Sequence, residues 1–157
     1  MVFIPRDPVV QNQFLVHDSS QGTGTESAGC VVFLSGDQLV ACVSGSGNRP
    51  YGFLMQNVKA ESSAHPTGFR LPGDLGSSDA FAGDPVAVAH LGLYETTHYD
   101  TAEVYTAGLQ LTVGANGRVS PTGAGAETNT TVVAIAQNAL DATAVAAGTN
   151  LRIKLLI

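Results

Sequence analysis

The stretch Ala28 to Val58 returns in degenerate form as Ala107 to Ala139, and this repetition restricts the fold more than any other property of the chain. Ala28-Gly29 aligns with Ala107-Gly108, the turn at Gly36-Asp37 with Ala115-Asn116, and Val40 with Val119, all at an offset of 79. Beyond a Gly/Ala-rich loop two residues longer in the second copy, Gln56-Asn57 matches Gln137-Asn138 at an offset of 81. A third element also recurs, AGDPVAVAHL at 82–91 resembling AGTNLRIKLL at 147–156. Each copy reads as hairpin, loop, strand, connector, then Ala-Gly and a strand.

The runs Cys30 to Leu34 and Leu39 to Val43 flank Ser-Gly-Asp-Gln, a hairpin signal. An even-numbered loop makes paired positions sum to an odd number, which puts Cys30 and Cys42 on opposite faces and predicts two free, buried thiols. Short strands are expected at Tyr51 to Val58, Val86 to Tyr94, Val104 to Val113, Arg118 to Ser120, Val132 to Gln137 and Leu151 to Ile157, with Asn116-Gly117 as a type I′ turn. Leu140 to Ala147 is the one segment with helical composition. The class is therefore all-β: a small β-barrel or sandwich built from two degenerate repeats, about 28–91 and 107–156, inside a β-domain spanning 28–157.

Residues 1–27 read as an extended N-terminal arm, because Pro5, Pro8 and Gln11-Asn12-Gln13 discourage a helix and 18–25 is a polar tract. Phe3, Ile4, Phe14 and Leu15 are too apolar for a free tail, and cover either the domain's own core or a neighbouring subunit. The connector at 59–81 is long and rich in Gly, Pro and Ser, with Phe69, Arg70 and Leu71 as anchors on this chain or on a partner.

With seven Lys and Arg scattered along a chain of net charge −6, the basic patch that phosphate binding requires is missing, so nucleic acid is not expected as a partner. No apolar run approaches the ~20 residues of a membrane helix, and MVFIPRDPVV has no signal-peptide pattern, so synthesis in the cytoplasm and no membrane partner are expected. Only 13% of residues are charged, and the small residues that fill the remaining surface suit protein partners.

Catalytic constellations are thin. His90, Glu95, His98 and Asp100 in HLGLYETTHYD are ligand types, but their spacing does not define a metal site, and no metal or cofactor is expected. His17 and His65 have no acidic or nucleophilic companion nearby. Serines sit in Ser-Gly turns, not in a G-x-S-x-G elbow, and Gly123-Ala124-Gly125-Ala126 precedes a strand where a phosphate loop must open a helix. The motifs of the trimeric dUTPases have no counterpart here. The expectation is a protein without enzymatic activity.

The strings AGCVVFLSGDQLVACVSGSGNRPYGFLMQNVKAES (28–62) and PTGFRLPGDLGSSDAFAGDPVAVAHLGLYET (66–96) resemble the head decoration, or cement, proteins of tailed bacteriophages. The half from Ala107-Gly108 to LRIKLLI is similar to small β-domains of the same class. The resemblance implies a structural virion protein on the outer capsid surface that bridges subunits of the major capsid protein and stabilises the expanded head. It also implies self-association, as a homotrimer or a dimer. Contacts with capsid or neighbouring subunits are expected from Phe3, Ile4, Phe14, Leu15, Phe69, Arg70 and Leu71, the apolar segments outside the repeated unit. The alternative is a receptor-binding or fibre-type attachment module, against which six Phe, four Tyr and no Trp argue mildly.

Overall fold

The computed structural model describes residues 3–5, 12–17, 26–36, 38–42, 47–59, 79–81, 85–123 and 131–157. Its strands are β1 (Phe3–Pro5), β2 (Asn12–His17), β3 (Val31–Ser35), β4 (Gln38–Ala41), β5 (Gly52–Leu54), β6 (Asn57–Lys59) and β7 (Asp79–Phe81). They continue as β8 (Pro85–Ala89), β9 (Leu91–Thr96), β10 (Gln110–Val113), β11 (Val119–Pro121), β12 (Ala134–Ala136) and β13 (Leu151–Leu156), with one short helix, α1 (Ala142–Ala146). The fold is all-β.

The β-branched run at β3 and the apolar β4 pair across a tight loop entered at Gly36, which has φ 66°. In that register Val32 faces Ala41 and Ser35 faces Gln38, so Cys30 and Cys42 emerge on opposite faces. Both thiols are free and buried. Adding β5, β8 and β2 closes a barrel in the order β2-β4-β3-β5-β8, with β2 antiparallel to β8 and parallel to β4.

The second sheet runs β1-β9-β13-β12-β10-β11. The sheet curls so that β11, at one end, meets the chain just beyond β9, where Tyr99 makes a parallel bridge with Val119: Val119 N–H donates to His98 O (3.3 Å) and Asp100 N–H to Val119 O (2.9 Å). The succession β9-β11-β10-β12-β13 therefore retraces β2-β4-β3-β5-β8, strand for strand.

Backbone hydrogen bonds carry the equivalence to single residues. Gly29 N–H donates to Leu54 O at 2.7 Å, as Gly108 does to Ala136 at 2.8 Å; Leu54 N–H donates to Cys30 O as Ala136 does to Leu109, both at 2.9 Å. Glu26 and Val58 exchange a pair of bonds, and so do Tyr105 and Leu140. An amide side chain recurs as well: Gln56 Oε1 accepts from Ala87 N–H (3.1 Å), and Asn138 Oδ1 from Arg152 N–H (2.7 Å). Leu54 to Ala136 and Gln56 to Asn138 are separations of 82, so matching Gln56-Asn57 to Gln137-Asn138 at 81 is out of register by one residue. The pairing of β5 with β8 and of β12 with β13 sets Ala89 opposite Phe53 and Lys154 opposite Ile135, the offset of 65 between 82–91 and 147–156.

Matching positions fill the two interiors. Cys30, Val32, Leu39, Leu54, Val58, Ala80, Val86 and Val88 form the core of the first barrel. Their counterparts Leu111, Val119, Ala136, Leu140, Val145, Leu151 and Ile153 are buried in the second, with Leu109 packed against them; Val119 answers to Leu39 at an offset of 80 and not to Val40 at 79, because the second hairpin loop is one residue longer. Ala80 belongs to β7, which pairs in parallel with β6, whereas Val145 belongs to α1, capped by Asp141 Oδ1 accepting from Ala144 N–H at 2.8 Å. Two different local structures thus close the same place in each barrel.

The outer face differs between the barrels. Val31, Phe53 and Ala89, neighbours across β3, β5 and β8, are buried within the second barrel's core cluster, together with Cys42 and Ala28. The corresponding row on the second barrel reads Gln110, Ile135 and Lys154, of which Gln110 and Lys154 are exposed. β8 runs into β9 across His90, so one extended segment serves both barrels.

Several expectations are corrected. Residues 12–17 do not belong to an arm outside the repeat; they are the first strand of the first barrel, and 3–5 add an edge strand to the second through pairing of Phe3 with Thr96 and Ile4 with Glu95. The strand expected from Val104 begins only at Gln110, because Gly108 bends the chain at φ 86° and Tyr105 turns inward to pair with Leu140. Asn116-Gly117 lies in a 3-10 turn, Ala115–Gly117, closed by Gly114 N–H to Arg118 O at 2.7 Å, not in a two-residue I′ loop. The segment 51–58 is split into β5 and β6, and 86–94 into β8 and β9.

Candidate functional site

Phe3 and Ile4 pair through their backbone with β9, and Phe14 and Leu15 pair with Ala87 and Val86 of β8. Phe69, Arg70 and Leu71 lie outside the described residues. Backbone pairing thus puts Phe3 and Ile4 in the second sheet and Phe14 and Leu15 in the first barrel.

The four ligand-type residues of HLGLYETTHYD are each engaged separately. His90 lays its ring edge-on against Tyr51, centroids 4.8 Å apart, and its buried Nε2 has no hydrogen-bond partner. The Glu95 carboxylate, nearly buried, accepts from Arg152 Nε at 3.0 Å and from Asn150 Nδ2 at 3.3 Å. His98 donates from Nε2 to Asn116 O at 3.2 Å, and its backbone N–H is held by Thr96 Oγ1 at 2.9 Å. Burial pulls the His98 pKa down to about 4, with the nearby Arg118 charge acting the same way against the opposing pull of the Asn116 carbonyl, so the imidazole is neutral at pH 7. Asp100 Oδ1 accepts from Ala102 N–H at 3.0 Å and shapes its own turn. Among the described residues no three His, Cys, Asp or Glu side chains converge as metal ligands would.

The thiols are likewise structural. Cys30 donates weakly to Glu26 Oε2 at 3.8 Å inside the first barrel, and burial raises its pKa well above that of a free thiol. Burial pushes Cys42 up to about 12. A nucleophilic cysteine needs the opposite environment, one that stabilises the thiolate.

The outer surface offers more. Leu34, at the end of β3, and Leu156, at the end of β13, line an open groove of about 570 Å³ together with Phe33, Arg49, Pro50 and Ile157. Leu91 sits opposite Leu156 in the β9–β13 register and extends the apolar surface. Leu34 occupies the place of Val113 in the second barrel, which is fully buried, so the same strand end is exposed in one barrel and covered in the other. A smaller hollow of about 320 Å³ lies over Leu93, Gln137 and Arg152.

None of the groove residues was singled out from the sequence. A signal was present: in LRIKLLI the buried and exposed positions alternate, so Leu156 falls on the face of Arg152 and Lys154, where an apolar residue breaks the pattern. Arg49 carried no such signal, since its position depends on how the loop after β4 returns to β5.

No protein-family model matches the sequence, and no curated protein matches it.

Proposed function

We propose that the protein is a structural virion subunit that binds the outer surface of a tailed-phage head, bridges neighbouring copies of the major capsid protein and stiffens the expanded shell. The observation that carries this reading is the leucine surface at the junction of the barrels. A contiguous apolar surface rimmed by polar groups marks contact with another protein, and the resemblance of 28–96 and 107–157 to head decoration proteins supplies the partner. A net charge of −6 suits the exterior of a shell whose interior holds a polyanion. One chain carrying two equivalent barrels also suits a lattice of repeated subunits, and self-association as a trimer or dimer would multiply those contacts.

The proposed contact surface centres on the leucines, whose exposure is described, while Phe3, Ile4, Phe14 and Leu15 belong to strands paired with the chain's own sheets. Expanded heads lacking decoration, mixed with the purified protein, should bind it saturably on their outer surface and resist heating better. Absence of binding, or binding without any gain in resistance, would reject the assignment.

A further inference from the structure

We infer that the groove between Leu34 and Leu156 seats a protein segment carrying a carboxylate beside apolar side chains. The inference rests on the reading of the protein as a capsid-bound subunit, and the segment belongs to the shell. Four large hydrophobic side chains are exposed among the described residues; Leu34 at 40% and Leu156 at 43% line this groove, and Leu91 at 46% pairs with Leu156 beside it. Scattered exposed leucines need no partner, but three in contiguous positions beside Phe33, Pro50 and Ile157 form a surface that gains from being covered.

Charge decides what covers it. Arg49 lines the same groove, is exposed, and makes no ion pair with any described residue, in a chain with seven basic side chains against thirteen acidic ones. A guanidinium with no carboxylate partner among the described residues, next to apolar surface, favours a carboxylate, which it can hold through two parallel N–H bonds once water is displaced. β13 is flanked by β12 on one side and β9 on the other. A segment arriving at Leu156 therefore docks through its side chains and not as an added strand.

The test measures binding of the full chain to expanded, undecorated heads. Wild type is compared with Leu34→Asp, Arg49→Glu, Arg49→Lys, and Thr101→Glu as an exposed change away from the groove lining. Leu34→Asp and Arg49→Glu should each weaken binding at least tenfold with an unchanged melting temperature, while Arg49→Lys loses less and Thr101→Glu binds as wild type. Should Leu34→Asp fail to fold, Arg49→Glu decides alone. If wild type binds and both groove variants bind equally well, the groove assignment is wrong and the capsid reading stands. If wild type itself does not bind, both fall.

Discussion

Gly117 is where a single side chain would do most harm. The residue has φ 67°, and a Cβ there would overlap Cys30 Sγ and come to 2.8 Å from Val31 O, because the Ala115–Gly117 turn of the second barrel presses on β3 of the first. Gly108 has φ 86° but nothing within 4 Å of the added carbon. Gly108→Ala should cost only the left-handed backbone strain, about 1–2 kcal/mol, and Gly117→Ala clearly more, since steric overlap adds to the same strain. Urea unfolding of the two variants checks this, and equal losses would show that the turn does not bear on β3. His98 makes the same turn sensitive to pH. Its folded pKa of about 4 lies below the ordinary histidine value of 6.5, so the unfolded chain binds the extra proton between those values. The stability it contributes is complete above pH 6.5 and is lost as pH falls toward 4, up to about 3 kcal/mol at 1.36 kcal/mol per unit. Glu26, whose pKa burial raises, acts in the opposite sense, its contribution being lost as pH rises. Comparison with His98→Gln isolates the histidine: the variant should show a flatter fall in stability from pH 6.5 to 4, and an identical slope would mean that His98 is not buried neutral.

At the scale of elements, the N-terminal strands carry unequal weight. β2 pairs over five residues with β8 and closes the first barrel onto β4, so its removal opens the barrel and leaves β4 and β8 each with one unpaired edge. β1 contributes three pairs to the edge of β9. Deleting residues 1–5 should cost about 1–3 kcal/mol, a few net backbone hydrogen bonds, and leave the circular dichroism spectrum β-rich. Deleting residues 1–17 should abolish the cooperative unfolding of the first barrel and expose its core to hydrophobic dyes. A truncation at 17 that still melts as sharply as the full chain would show that the barrel closes without β2.

For the whole molecule the decisive feature is the shared core. Val31, Phe53 and Ala89 point out of the first barrel and are buried in the cluster that also holds the second barrel's Leu111, Leu151 and Ile153. Two units joined through buried apolar surface and a nearly continuous β8–β9 should unfold together. Calorimetry should find one transition, with equal calorimetric and van't Hoff enthalpies. Phe53→Ala, costing about 3–5 kcal/mol, should lower that single transition without splitting it. Two resolved transitions, only one of which moves, would show that the barrels are independent.

The β class, the duplicated hairpin and the opposed cysteines were legible in the chain alone, because turn chemistry, alternation and hairpin parity act between residues close along it. The equivalence of 82–91 with 147–156 was legible for the same reason: buried alternate positions must stay apolar. Only tertiary structure showed that β2 and β9 hold equivalent places in the two halves, since what they share is backbone pairing, which leaves no mark on side-chain identity. It also decided which outer row is buried. Val31, Phe53 and Ala89 look no different in sequence from barrel interior, and only the approach of the second barrel gives them a partner. Leu34 and Leu91 look like core too, yet no part of the described chain covers them, because exposure depends on contacts between residues far apart in sequence.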